Sequence, residues 1–434
     1  MTSQKWVYHF EEGNASMADL LGGKGAGLAE MTGIGLPVPP GFTLTTQSCL
    51  SYLNNSQQFP ENLWEQTRTA MSILNNKMER TFGDDTNPLL VSVRSGAKFS
   101  MPGMMDTVLN LGLNDQSVLT LAQKANDERF AWDAYRRLIQ MFGKVVMDID
   151  GYLFEEALSH LRQSEGVSSD PEVSAEGWKK CAADFKQLIH EHTHREFPQE
   201  PWEQLKLAIQ AVFESWMGKR AVDYRNATGI PHDLGTAVNI VAMVFGNMGW
   251  DSGSGVAFTR NPSTGESVLF GEYLANAQGE DVVSGSRTPI NITKLEQEFP
   301  EVRTQLADIA SRLEKHYRNM QDIEFTIENK KLWMLQTRSG KRSAAASLKI
   351  AVDMVNEGLI TRDEAVSRIE PDHVDQLLHP HFDEKARQNT PVLAKGLNAS
   401  PGAAVGQVYF DADTAERMAK DENSTRARRG RIPI

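Results

Sequence analysis

Apolar and polar residues alternate in short runs over the first 110 positions, then recur at helical spacing over the next hundred. Residues 6–10, 42–46 and 89–94 read as strands, the last set off by the turn-prone stretch 84–88. Between 115 and 220 the period changes. Phe130, Ala134, Leu138, Met141 and Val145 fall on one helical face, and Phe185, Leu188, Leu205, Ile209, Val212, Phe213 and Trp216 continue the pattern. Breaks at 168–171 and 197–201 divide this block, which reads as a helical insertion into a mixed α/β (α+β) scaffold. Strands return from 235 to 338, with one long helix near 295–320. Two amphipathic helices, about 344–357 and 361–369, lead into the Pro/His-rich stretch 377–390, an expected linker. A β-rich segment opens at 395–410, and the terminal STRARRGRIPI is unlike everything before it. That pattern reads as a chain cut short inside its next domain.

The most regular alternation is DIEFTIENKKLWMLQTR, residues 322–338. Ile323, Phe325 and Ile327 alternate with Asp322, Glu324 and Thr326, and the second strand sets Trp333 and Leu335 against Met334, Gln336 and Arg338. Closure through a three-residue loop, 329–331, predicts Ile327 opposite Trp333 and Phe325 opposite Leu335 on the core side. The other face then carries Glu324 opposite Gln336 and Asp322 opposite Arg338. Two carboxylates, an amide and a guanidinium on one face suit Mg²⁺, a hard cation that takes one or two carboxylates plus substrate phosphates. A solvent-facing charged hairpin is the structural alternative.

Composition narrows the function classes. The chain has 434 residues and a net charge of −12, which disfavours a general nucleic-acid binder. A polyanionic small ligand remains compatible if cations gather in one place. Two cysteines, Cys49 and Cys181, exclude a disulfide framework and a four-cysteine metal site, and fit a cytoplasmic setting. No run of about 18 uncharged apolar residues is present, and MTSQKWVYHF lacks the apolar stretch of a secretory signal.

Cations do cluster with glycine. LGGKGAGL, residues 21–28, lies between a strand and a helix, where glycines let backbone amides close on an anion and Lys24 adds a point charge. It lacks the spacing of a Walker loop, and a Gly-rich turn with a solvated lysine is the alternative. LLVSVRSGAK (89–98) and LWMLQTRSGKR (332–342) each end an apolar strand in Arg-Ser-Gly, offering the Arg94 and Arg338 guanidinium forks beside free backbone donors. A Ser/Gly-rich loop, 252–255, can lay amides over phosphates, and Glu272, Glu280 and Asp281 are available as further metal ligands. HEHTH at 190–194 satisfies the zincin pattern, but charges surround it, Pro198 follows and no third ligand is evident, so it reads as a polar helix end.

Taken together, LLGGKGAGLAEM, LLVSVRSGAKFSMPGMMDTVLNLGLND, GVAFTRNPSTGE, AQGEDVVSG, QDIEFTIE and LQTRSGKR resemble the nucleotide-binding half of the pyruvate, phosphate dikinase family. The resemblance runs over about residues 6–410, and SMPGMMDT is its most specific stretch. It implies an ATP-grasp-like nucleotide-binding domain over 1–343, with the helical insertion at about 115–220 and a second lobe at about 235–340. A helical linker over 344–394 and the truncated start of a swivelling phosphohistidine domain over 395–434 follow. By the same resemblance, Lys24 and Arg94 meet the ATP phosphates, as does Arg338. Asp322, Glu324 and Gln336 contact nucleotide and Mg²⁺, with Glu324 and Gln336 as the metal ligands. The Ser/Gly-rich loop adds Gly253, Ser254 and Gly255 to the expected ATP contacts. Ser339 stands where the family usually has asparagine.

The family converts ATP, orthophosphate and pyruvate to AMP, pyrophosphate and phosphoenolpyruvate through a phosphorylated histidine. None of the ten histidines here sits in the acceptor context, so no catalytic residue is assigned. The expected partners are ATP, phosphate and the missing phosphohistidine and pyruvate-binding domains, with a homodimer in the full-length family and neither nucleic acid nor membrane. The alternatives are a phosphoenolpyruvate-synthase-like dikinase, which shares the GGK and VRS themes but not MPGMMDT in this form, and a non-catalytic ATP-binding remnant.

Overall fold

Among the described residues every pairing between strands of the two sheets is antiparallel. The computed structural model describes residues 4–371 other than 102, 104 and 284–286, together with 373–374, 384–392, 407–409 and 418. Among these, one sheet holds β1 (Val7–His9), β2 (Gly41–Leu44), β3 (Val91–Gly96), β4 (Thr107–Leu111) and β5 (Ala237–Ala242) in the order β1-β2-β5-β3-β4. The other holds β6 (Gly253–Phe258), β7 (Phe270–Ala275), β8 (Ile290–Asn291), β9 (Gln321–Glu328) and β10 (Lys331–Ser339) in the order β10-β9-β6-β7-β8. The strand expected at 42–46 stops at Leu44, because the Thr45 side chain accepts from Ser48 N and caps α2 (Thr46–Asn54) after the first long helix, α1 (Ala18–Gly33).

The hairpin of β9 and β10 corrects the expected register. Lys331 pairs with Glu328, so only Asn329 and Lys330 form the turn. Both have positive φ, 48° and 64°, as a type I′ turn requires. Leu332 therefore faces Ile327 and Met334 faces Phe325, and it is these residues, not Trp333 and Leu335, that enter the core. A bulge between Met334 and Gln336 then absorbs one residue, and Glu324 pairs with Gln336 and Asp322 with Arg338, as the alternation predicts. The loop shortens by one residue and the bulge restores it, so the polar pairs survive while the apolar pairs change.

Helices fill residues 117–228. After α3 (Leu63–Met78) come α4 (Ser117–Ala125), α5 (Glu128–Val145), α6 (Gly151–Glu165), α7 (Ala175–Thr193), α8 (Pro201–Ser215) and α9 (Lys219–Thr228). Helix α5 buries Phe130, Ala134, Leu138 and Phe142, while Met141 and Val145 are only half-buried. It also buries Asp133, Arg136 and Arg137, an ionic cluster that periodicity does not register. After α10 (Gly279–Val283), the long helix expected at 295–320 is two, α11 (Leu295–Glu298) and α12 (Pro300–Tyr317). Pro300 has no N–H to continue a helix and instead opens the second at its first position.

By Cα proximity the chain divides into a larger unit, 1–259 with 269–340, and a smaller one, 260–268 with 341–434. In the smaller unit, α13 (Ala344–Asn356) and α14 (Arg362–Ser367) are ordered by a Ser343 cap and a Thr361–Glu364 capping box. Buried Arg260 binds Glu357 through both terminal nitrogens. Of the expected linker at 377–390 the structure describes 384–390, where Glu384–Asn389 is helical, while the β-rich segment at 395–410 lies largely outside the described residues, as does the terminal STRARRGRIPI. No described helix is long and apolar enough to cross a membrane.

The two-residue turn generates a prediction. A left-handed non-glycine costs roughly 1–2 kcal/mol, and glycine's extra freedom in the unfolded chain returns roughly 0.5–1 kcal/mol of that. Lys330→Gly should therefore stabilise the fold by about 0.5–1 kcal/mol. Chemical denaturation should show a higher midpoint with an unchanged slope; an unchanged or lower midpoint would refute the turn assignment.

Candidate functional site

The Gly-rich segment 21–28 lies inside α1 and not in a loop, which corrects the sequence expectation. Gly22 breaks the helix with φ 67° and ψ 167°, and the helix restarts at once. A Cβ on Gly22 would stand 1.6 Å from the carbonyl oxygen of Gly96, at the end of β3. A Cβ on Gly96 would meet Asn239 Nδ2 at 2.5 Å and the Lys24 Cβ at 3.4 Å. Gly23 N donates to the Ala97 carbonyl at 2.9 Å and fastens the restart to the strand end. These glycines serve close approach, and their consequence is positional. The first turn of the restarted helix, with its partial positive charge, carries Lys24 to the wall of a cavity.

That cavity, about 840 Å³, has the size of a small-ligand site. Lys24 from α1, Arg94 from β3, Gly255 from β6, Glu324 from β9, and Gln336 and Arg338 from β10 all line it. Arg94 Nη2 stands 3.4 Å from Glu324 Oε2, linking residues 230 positions apart. Arg338 Nε donates to Asp322 Oδ2 at 2.7 Å; Asp322 is buried behind the wall and holds the guanidinium rather than facing the cavity. Gly253 and Ser254 do not reach the wall. They are the first residues of a central strand, laddered to β7 on one side and β9 on the other, so the expected phosphate loop is not a loop. Ser254 Oγ is buried 3.2 Å from Thr326 Oγ1.

Charge crowds at this wall. Burial, with Arg94 and Arg338 nearby, pushes the Lys24 ammonium down to about 7 despite the opposing pull of Glu324. Burial pushes the Asp322 carboxyl up, against the pull of Arg338 and with the help of Glu324. Arg94 Nε is buried without a hydrogen-bond partner, a donor left for an acceptor that the protein does not supply. The arrangement is suited to an anion.

Sequence reasoning missed Lys98 and Gln278, which also line the cavity. Lys98 Nζ pairs with Asp19 Oδ1 at 2.5 Å. No spacing marks either residue, because a single lysine or glutamine carries no pattern. Glu280 lines the wall too, its carboxyl pushed up by burial against the pull of Arg137, whereas Asp281 binds Arg137 and Glu272 lies off the wall on β7. Glu324 and Gln336 are cross-strand partners offering a carboxylate and an amide oxygen, hard donors of the type Mg²⁺ takes. Among the described residues no three of His, Cys, Asp or Glu gather closely enough to hold a metal by themselves. A cation here would complete its shell with ligand oxygens and water, which fits Mg²⁺ bound with phosphates.

The HEHTH segment forms the C-terminal end of α7. His190 Nδ1 stands 3.0 Å from Glu196 Oε1, and His194 has left the helix with φ 55°, so the two histidines of the pattern do not share a helical face.

Comparison with known proteins converges on one group. The family model described as pyruvate phosphate dikinase, AMP/ATP-binding domain, matches residues 18–58, 54–304 and 300–359. The pyruvate, phosphate dikinase of Rhizobium meliloti (strain 1021) is 55% identical over 433 residues, covering 96% of this chain and 48% of that protein. That of Clostridium symbiosum is 54% identical, covering 95% and 47%, and the chloroplastic pyruvate, phosphate dikinase 1 of Arabidopsis thaliana is 52% identical, covering 95% and 43%. The chain thus spans about half the length of the curated relatives it matches.

The depressed Lys24 ammonium makes a testable prediction about pH. The unfolded chain keeps this proton up to the ordinary lysine range, while the folded chain releases it near 7. Between these limits the unfolded state binds more protons, so stability should rise with pH from about 7 toward the ordinary lysine pKa and gain nothing from this group below 7. Lys24→Met should remove that component of the slope. Binding a polyanion at pH 8 should restore the ammonium and take up a proton, visible as a dependence of calorimetric heat on buffer ionisation enthalpy. A slope and a proton uptake identical in the variant would disprove the assignment.

Proposed function

Because the chain belongs to the pyruvate, phosphate dikinase family, we propose that its larger unit is an ATP-grasp-like domain that binds Mg-ATP and donates a phosphoryl group. One observation carries the reading. Lys24, Arg94 and Arg338, from three separate elements, converge on a single cavity that the Glu324–Gln336 pair also lines. In this reading Lys24, Arg94 and Arg338 bind the triphosphate, Glu324 and Gln336 hold Mg²⁺, Asp322 orients Arg338, and Gly255 forms wall without a side chain to obstruct the ligand.

Phosphoryl transfer asks little covalent chemistry of a protein and much positioning of charge. Glu324 and Gln336 would hold the Mg²⁺, which would supply charge neutralisation to the phosphates. The chain's own residues do the rest: the cations orient the triphosphate, and the apolar wall, including Met243 and Phe325, keeps water from it. We assign residues 1–343 to this domain, 344–394 to a helical linker and 395–434 to the start of a phosphohistidine domain. The dikinase reaction, in which ATP, orthophosphate and pyruvate give AMP, pyrophosphate and phosphoenolpyruvate, is the activity to which this site would contribute. The two buried free cysteines support a cytoplasmic setting.

Calorimetry with Mg-ATP tests the reading. Lys24→Ala and Arg94→Ala should each weaken binding by about 1.5–3 kcal/mol, roughly 10- to 150-fold, by removing a charge-assisted bond to phosphate. Glu324→Gln should lessen the dependence of affinity on Mg²⁺ more than it lowers thermal stability. Unchanged affinity in both cation variants, with folding intact, would defeat the proposal.

A further inference from the structure

Gln278 lies on the cavity wall yet is only 4% exposed, because its side chain is tied into a chain of polar groups that ends on a carboxylate. Gln278 Nε2 donates to Asn247 Oδ1 at 2.9 Å, and Asn247 Nδ2 donates to Asp133 Oδ2 at 3.3 Å. Asp133 and Asn247 are buried as well. Burial alone would raise the Asp133 carboxyl, but Arg137 and Arg136 outweigh it and bring it down to about 2.

An ionised carboxylate can only accept hydrogen bonds. Asn247 must therefore turn its NH₂ toward Asp133 and its carbonyl oxygen toward Gln278. Gln278 must meet that oxygen with its own NH₂. The orientation of both amides follows from the charge at one end of the chain, independently of telling nitrogen from oxygen by shape. With one N–H given to Asn247, Gln278 has Oε1 and its second N–H left, in positions that the fixed amide sets. The backbone of the same residue is held too. Gln278 N donates to Asp281 Oδ2 at 2.9 Å, and Arg137 Nη1 donates to Asp281 Oδ1 at 2.9 Å. Asp133 and Arg137, one turn apart on α5, thus fix the side chain and the main chain of one cavity residue.

We propose that Gln278 is a specificity-determining contact, with its amide oriented from Asp133 through Asn247 so that Oε1 accepts from a hydrogen-bond donor on the nucleoside part of the ligand. The proposal rests on the ATP reading of the cavity. A deprotonated triphosphate offers no donors, so on ATP the donors are the 2′-hydroxyl, the 3′-hydroxyl and the 6-amino group. A ligand presenting only lone pairs at that place would leave two acceptors face to face.

The test is calorimetry on the full chain with Mg²⁺ and four ligands: ATP, 2′-deoxy-ATP, 3′-deoxy-ATP and purine riboside triphosphate, which lacks the 6-amino group. The unaltered chain should bind one analogue on the order of tenfold more weakly than ATP, and that analogue identifies the donor. Gln278→Met should bind ATP about as weakly as the unaltered chain binds that analogue, and should no longer distinguish the two. Asn247→Leu, which frees the amide to rotate, should shrink the same discrimination, an effect that a merely structural role would not confine to one analogue. Equal affinity of the unaltered chain for all four ligands would overturn the proposal without any variant. So would discrimination that persists undiminished in Gln278→Met. If the unaltered chain binds none of the four, the ATP reading itself fails, a distinct result that removes this proposal with it.

Discussion

The site depends on one close approach of backbone to backbone. Gly22 passes so near the Gly96 carbonyl that no side chain fits, and its positive φ is one that other residues adopt at a cost. That contact breaks α1 and seats its second segment against the end of β3. Lys24 and Arg94 thereby reach the same wall although 70 residues separate them in sequence. The other sheet answers with a second local irregularity. The bulge between Met334 and Gln336 turns Gln336 and Arg338 to the side where Glu324 and Asp322 stand. Removing either irregularity would leave the residues present and the constellation lost.

The result is a concentration of positive charge in an acidic protein. The net charge is −12, yet Lys24, Lys98, Arg94 and Arg338 share a cavity, with Glu280 and Glu324 on its wall and Asp19 and Asp322 paired to Lys98 and Arg338. Crowding of cations out of water has a cost, and the depressed Lys24 ammonium shows where it falls. A polyanion would lift that cost. The charge distribution at this wall is in this sense strained, and Arg94 Nε, buried without a partner, expresses the same thing in hydrogen-bond terms.

Another part of the wall is held by the helical block. Asp133, Arg136 and Arg137 of α5 form a buried ionic cluster that reaches Asp170 through Arg136 and Asp281 through Arg137. Such clusters are costly to desolvate and are weak evidence of stability. Here the cluster has a positional consequence, since it fixes the segment from Gln278 to Asp281 against the cavity.

Some of this was legible in residue order, and some was not. Alternation in 322–338 placed Glu324 with Asp322 and Gln336 with Arg338 on common faces, and their pairing came out as expected because the bulge offsets the shorter turn. Arg-Ser-Gly at two strand ends likewise pointed to Arg94 and Arg338. The apolar partners were misassigned, because a two-residue turn with left-handed Asn329 and Lys330, followed by a bulge, has the same net register beyond the bulge as the three-residue loop expected. The 252–255 stretch looked like a phosphate loop because serine and glycine favour turns. Only strand pairing on both sides shows its amides already engaged. The Gly-rich 21–28 segment looked like a loop, since close packing against Gly96 is a property of two distant segments together. Gln278 was invisible altogether. Its direction is set by a carboxylate 145 positions away through an intervening amide, and such a relay exists only once the chain has folded. Short-range order thus determined which residue types lie on which face. Tertiary structure decided which faces meet, because burial, charge pairing and backbone approach are set by neighbours in space.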